Sequence, residues 1–223
     1  MDGSWTNWVG CVTSLAIASG WLIGVHPPIL FICLPLLMDI AVAVAFMVRG
    51  RVKRSLTGVL PRVTAYGSTF LVGMSMRVSS PWRRAASVPV GGTLWIAVPA
   101  ALVVLASVVL GFWPLWYLRR SFSIEPAARE LVTTGPYAVA RHPMYTIYAL
   151  GYAGLLVLRP TPTLAVLLVG WCALTYFRMG YEERVLMEAF PEYALYRTRV
   201  GAFGPRLRWS RSEGAPPEPS GPA

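Results

Sequence analysis

Two short stretches hold most of the side chains able to do chemistry. One is Arg141-His142-Pro143-Met144-Tyr145 and the other is "RMGYEERVLMEAF", with Arg178, Glu182 and Glu183. Arg178 and Glu182 are four residues apart, so on a helix they share a face. Glu183 points about 100° away. As an exposed pair they would be worth little. Here they directly follow an apolar run, where ionisable groups tend to have partners or ligands. Pro143 suits the first turn of a helix, where its missing N–H costs nothing. Arg141 and His142 then sit at a helix N-terminus, a place that favours an anion. Two basic side chains there call for something negative, with a lipid phosphate and a ligand carboxylate as candidates.

The elements that must position these residues are apolar. Of the 223 residues, 55% are hydrophobic and 13% charged, about half the charge of an ordinary soluble domain. The mean hydropathy is +0.53. The formal net charge is +10, with one lysine, Lys53, beside nineteen arginines. These arginines punctuate apolar runs, a pattern that fits the positive-inside rule and anionic lipid rather than nucleic acid. The composition points to a GC-rich, bacterial source.

A membrane span needs about 20 apolar residues. Trp5–Val25 qualifies as a retained span rather than a signal peptide, since it lacks a basic start and an A-x-A site. Ile29–Val48 follows, with Asp39 as its one charge, then the basic "RGRVKR". Leu56–Met76 is the weakest span, with Pro61, Arg62 and small polar residues, and an interfacial helix is its alternative. Thr93–Leu118 is strong and ends at Arg119-Arg120. Pro143–Leu158 and Thr163–Phe177 form a helical hairpin around "RPTP", with Pro162 in a first helical turn. Val185, Leu186, Ala189 and Phe190 recur at helical spacing and predict an amphipathic helix on the membrane or the bundle. The fold class is therefore all-α, a polytopic membrane bundle of about six spans. Both termini and most of the basic residues then lie inside. Asp39 reads first as a helix-packing hydrogen-bonder and second as a pathway residue.

Cys11, Cys33 and Cys172 lie in apolar runs without a CxxC pair, so they read as small buried hydrophobes. There is no strand–GxGxxG–helix unit, no HExxH and no GxSxG, and the two histidines are far apart. No metal pattern emerges.

The pair "LVTTGPYAVARHPMY" and "RMGYEERVLMEAFPEYALYRTRV" resembles the isoprenylcysteine carboxyl methyltransferase family and the wider phospholipid methyltransferase-like group. The resemblance covers about Ser121–Val200. It implies an integral membrane enzyme that uses S-adenosylmethionine and methylates a lipophilic acceptor among membrane lipids. By position, it implies cofactor contacts from Arg129, Glu130, Leu131, Val132, Tyr137, His142, Pro143, Met144, Tyr145 and Glu182. Arg129 and Glu130 would contribute backbone. Arg178 matches the family's arginine between cofactor and substrate, and Arg178 and Glu183 are the expected catalytic residues. The stretch before Leu131 is short, so the resemblance assigns no residue to a family contact upstream of it, near Ser123–Glu125.

The chain would divide into N-terminal helices (1–118), a methyltransferase core (119–209) and a disordered tail (210–223). The pocket would face the cytoplasm, in a bacterial plasma membrane. A sterol-reductase-type enzyme with a nicotinamide cofactor shares an RHPxY-like element and is the enzymatic alternative. A non-catalytic membrane scaffold or transporter component is the other.

Overall fold

A computed structural model of the chain describes residues 29–78 and 94–206. The expected span Trp5–Val25, Cys11 and the expected tail lie outside them. The described elements are α1 (Ile29–Val48), β1 (Arg54–Ser55), α2 (Val59–Val78), α3 (Leu94–Leu118), β2 (Ala127–Ala128), α4 (Pro143–Leu158), α5 (Pro162–Ala189) and α6 (Tyr193–Arg199), with a 3₁₀ turn at Gly135–Ala138 before α4. The class is all-α, as the apolar runs predict.

Local chemistry sets the helix ends. Pro143 and Pro162 both open helices. Thr161 caps α5, its hydroxyl accepting from the Leu164 N–H at 3.3 Å. Gly135 begins the 3₁₀ turn at φ +60°, where a side chain would run into the Tyr117 ring. α5 runs on past Phe177 to Ala189, because no proline or glycine pair interrupts it. The expected second hairpin helix and the amphipathic segment are thus one helix of 28 residues. Its Val185 and the capping Phe190 are buried with Ala128 and Tyr193, so this segment packs on the bundle rather than lying on a membrane surface.

α4 and α5 are joined by a tight turn yet touch only sparsely. Each has another main partner. α4 packs antiparallel on α3, where Gly151 lies against Ser107 and Gly154 against Ala100 and Val104. α5 packs antiparallel on α2, where Arg178 meets Ala65, Gly67 meets Leu174, and Gly170 meets Leu71. The weakest predicted span is therefore a full bundle member. α1 runs parallel to α3, with Met38 against Gly111 and Gly50 N–H donating to the Arg120 carbonyl at 2.7 Å. Two helix layers result, and they splay apart on either side of the hairpin. A cluster of Val104, Tyr152, Leu155, Leu164 and Trp171 joins them towards the hairpin turn.

This alternation gathers the polar segments at one end. There β1 pairs antiparallel with β2, Arg54 opposite Ala128 and Ser55 opposite Ala127. Two-residue strands carry no period and escaped the sequence reading. Two helices, Trp95–Leu118 and Pro162–Ala189, are long and apolar enough to cross a membrane, and 22% of the most apolar window of each is buried. That share is too small for the core helices of a soluble domain. Trp95, Trp113, Trp116, Val166, Val169 and Tyr176 are exposed, a surface suited to lipid. Cys172 is exposed on the same kind of face and Cys33 is half-buried, so neither is the buried hydrophobe that the sequence suggested.

The α3–α4 contact depends on absent side chains. Gly154→Ala would set a Cβ 2.8 Å from Val104 and 3.0 Å from the Ala100 carbonyl. It should cost about 1–3 kcal/mol, read as a lower unfolding temperature in detergent. Gly180→Ala meets nothing within 4 Å and should leave stability equal or slightly raised. Equal effects at the two sites would rule out close packing at Gly154.

Candidate active site between two helix layers

A cavity of about 730 Å³ occupies the space between the layers. Its polar end is walled by the loop 121–132, the 3₁₀ turn, the start of α4, the α5 segment around Arg178 and Glu182, and Tyr193 and Tyr196 from the α6 region. Its apolar arm runs between α1, α2, α3 and α4, past Met38, Val72, Val108, Tyr152 and Trp171.

Arg178 ties the polar end together. It is 8% exposed, and its guanidinium reaches three elements. Nε donates to Glu182 Oε1 at 2.9 Å. Nη1 donates to the Ala65 carbonyl at 3.2 Å and to the Ser68 and Thr69 hydroxyls at 3.1 Å. Nη2 donates to the Ile124 carbonyl at 3.1 Å. The small polar residues that made α2 a poor span are the ones that solvate this charge. Glu182 Oε1 also accepts from the Tyr145 hydroxyl at 2.7 Å. The His142 and Tyr145 rings stack, with centroids 5.4 Å apart. His142 Nδ1 is 3.7 Å from Glu182 Oε2, which leaves that oxygen open to a further donor.

The negative partner of Arg141 and His142 is supplied by the chain itself. Glu183 Oε1 accepts from Arg141 at 2.6 Å and stands 3.1 Å from His142 Nε2. Glu183 Oε2 meets Arg197 at 3.1 Å. The backbone is committed too, because the Arg141 and His142 N–H groups donate to the carbonyls of Gly201 and Ala202, both at 2.9 Å. The anion expected at this helix N-terminus is thus largely replaced by Glu183 and the C-terminal segment. Glu183, expected to be catalytic, faces away from the cavity wall, as its 100° offset from Glu182 requires.

All ten residues expected to hold a cofactor line the one cavity: Arg129, Glu130, Leu131, Val132, Tyr137, His142, Pro143, Met144, Tyr145 and Glu182. Arg178 joins them, and so do Ser123, Ile124 and Glu125. Sequence reasoning missed Tyr66, Ser68, Thr69, Tyr148 and Tyr193 on the same wall, and Asp39, read there as a packing or pathway residue, lines it too. Burial, with the Glu182 charge adding to it, holds the Tyr137 phenol far above its ordinary pKa. Burial likewise raises Tyr196 to about 12, against the pull of Arg141. Both rings therefore face the site as neutral phenols. The Tyr196 hydroxyl donates to the Tyr137 carbonyl at 2.5 Å and so fixes the 3₁₀ turn against α6.

Residues 87–193 match the model of the phospholipid methyltransferase family. The match bears out the recognition made from the two motifs. Two helices of membrane-crossing length accompany that match. Among curated proteins, the chain is 44% identical over 85 residues to the nickel-cobalt-cadmium resistance protein NccN of Alcaligenes xylosoxydans xylosoxydans, covering 38% of this chain and 40% of that protein. It is 42% identical over 84 residues to the cobalt-zinc-cadmium resistance protein CzcN of Cupriavidus metallidurans, covering 37% and 39%. These matches span about two-fifths of the length of the curated relatives. Among the described residues no cluster of three His, Cys, Asp or Glu side chains could hold a metal ion.

Arg178→Met would leave the half-buried Glu182 without its cation and strand acceptors on three elements. Losing the buried partner of such a pair costs up to about 3–5 kcal/mol. Removing the exposed Arg54–Glu188 pair by Arg54→Ala should cost less than about 1 kcal/mol. Thermal unfolding of the two variants in the same detergent checks the difference. An Arg178→Met protein as stable as Arg54→Ala would refute the central role given to Arg178.

Proposed function

We propose that this chain is an S-adenosylmethionine-dependent methyltransferase of the membrane that acts on a lipophilic acceptor. One observation carries the reading. Residues from two motifs, more than 30 positions apart in sequence, converge with Arg178 on the polar end of a cavity whose other arm is apolar. The basic segments gathered at that end support a cytoplasmic orientation by the positive-inside rule, and the proposed location is the plasma membrane of a bacterium.

The wall chemistry fits the donor. Glu182 Oε2 is available to an ammonium group. Tyr137 and Tyr145 present neutral ring faces to a cation, a contact worth roughly 0.5–2 kcal/mol each. When bound, S-adenosylmethionine supplies an electrophilic methyl group. The chain's own part is to orient and to keep water out. His142 stacks on Tyr145 and is held from behind by Glu183, so Glu183 is a positioning residue in this reading and not a catalytic one. Arg178 has most of its N–H groups engaged, which leaves one Nη2 N–H for an acceptor's oxygen. It aligns the acceptor less by grip than by fixing Glu182 and Tyr145. The apolar arm takes the acceptor's tail, and a site shielded from water favours transfer between oppositely charged partners.

Purified protein should bind S-adenosylmethionine in a calorimetric titration and move a labelled methyl group into a lipid extract. Glu182→Gln keeps an oxygen for Tyr145 and Arg178 but removes the charge, and should weaken binding about tenfold. His142→Ala should also weaken it while the protein stays folded. Binding of a nicotinamide cofactor in place of S-adenosylmethionine, or unchanged affinity in both variants, would refute this assignment.

A further inference from the structure

Several charges on the cavity wall are matched inside the chain. Arg178 has Glu182 at 2.9 Å and Arg141 has Glu183 at 2.6 Å. Glu130 has Arg120, and Glu125 has Arg62, both at 3.4 Å. Arg129 differs. It is 6% exposed and lines the cavity. Among the described residues its guanidinium makes one hydrogen bond, from Nη1 to the Gly50 carbonyl, and its buried Nε has no acceptor. Among the described residues no carboxylate pairs with it. The charge that acts on it is a second cation, Arg49. Burial first, and Arg49 second, lower its pKa to about 10.

A buried cation next to another cation is expensive unless an anion joins it. The position is also fixed. Ala128, its neighbour in β2, is 1% exposed and paired with β1. The backbone that carries Arg129 is therefore held beside the cavity.

We propose that the Arg129 guanidinium is an anion-recognition group of this cavity, binding a carboxylate or phosphate oxygen of the molecule held there. The inference rests on the reading of the cavity as a methyl-donor site and goes beyond a backbone contact at this position. Two sources share the chemistry. One is the carboxylate of the donor's amino-acid moiety, and the other is the phosphate of an anionic lipid acceptor. A guanidinium fork suits either oxyanion.

Arg129→Gln keeps a donor for the Gly50 carbonyl and removes the charge, while Arg129→Lys keeps the charge. Wild type and both variants would be titrated in detergent with three probes. These are S-adenosylhomocysteine, 5′-methylthioadenosine (the nucleoside thioether without the amino-acid moiety) and short-chain phosphatidic acid. If the donor's carboxylate is the anion, Arg129→Gln weakens S-adenosylhomocysteine about tenfold or more and leaves 5′-methylthioadenosine unchanged. If the acceptor's phosphate is the anion, the loss falls on phosphatidic acid and spares both nucleosides. In either case Arg129→Lys recovers much of the affinity, and the ligand-free Arg129→Gln protein melts at the same or a higher temperature.

Arg129→Gln binding all three probes like wild type would overturn the proposal. So would a parallel loss of all three together with a lower melting temperature, the mark of a purely structural residue. Wild type that binds neither nucleoside would refute the donor reading. The phosphatidic-acid titration would then decide the anion site by itself, with a loss in Arg129→Gln upholding it and no loss overturning it.

Discussion

A guanidinium buried among five acceptors holds this bundle in register. Arg178 comes from α5, but its acceptors lie on α2, in the loop after α3 and one turn along its own helix. Taking that charge out of water costs several kcal/mol, and only near-complete hydrogen bonding offsets it. The requirement therefore propagates. α2 must present Ser68 and Thr69 at the right height, the 121–131 loop must fold back so that the Ile124 carbonyl points inward, and Glu182 must stay within reach of both Arg178 and Tyr145.

The cavity follows from how the helices pair. α4 and α5 are consecutive and antiparallel, yet each is claimed by a different partner. Glycines on α4 draw α3 close, and Gly67 and Gly170 let α2 and α5 approach. The layers meet through Tyr152, Leu155 and Trp171 near the hairpin turn, and the Tyr152 hydroxyl reaches across to the Leu71 carbonyl at 2.9 Å. Away from that clasp they diverge. The gap is lined by side chains from both layers, apolar along the helices and charged at the end where the loops gather.

Much of this was legible in the sequence, and the rest was hidden for definable reasons. The limits of α1 and α4, and the helix starts at Pro143 and Pro162, could be read from apolar runs and proline placement. The convergence of Tyr137, His142, Tyr145 and Glu182 was expected from motif resemblance together with a connecting hairpin. Periodicity could not reveal which helix pairs with which, so the role of Ser68 and Thr69 stayed invisible and α2 looked merely weak. Nor could spacing tell that the counter-ion of Arg141 is Glu183 rather than a ligand. That depends on a rotation of α5 that only packing sets. The two-residue β1–β2 pair has no sequence signal, although it fixes the loop that carries Arg129.

The account turns on a donor seated at the polar end of the cavity while Arg178 keeps its architectural bonds. A structure determined with S-adenosylhomocysteine bound tests that most directly. The account predicts the ligand among the 3₁₀ turn, the start of α4 and α5, its ammonium on Glu182, with the Arg178 bonds to Ala65, Ser68 and Ile124 intact. A nucleoside bound outside this cavity, or an Arg178 released from α2 to grip the ligand, would contradict it.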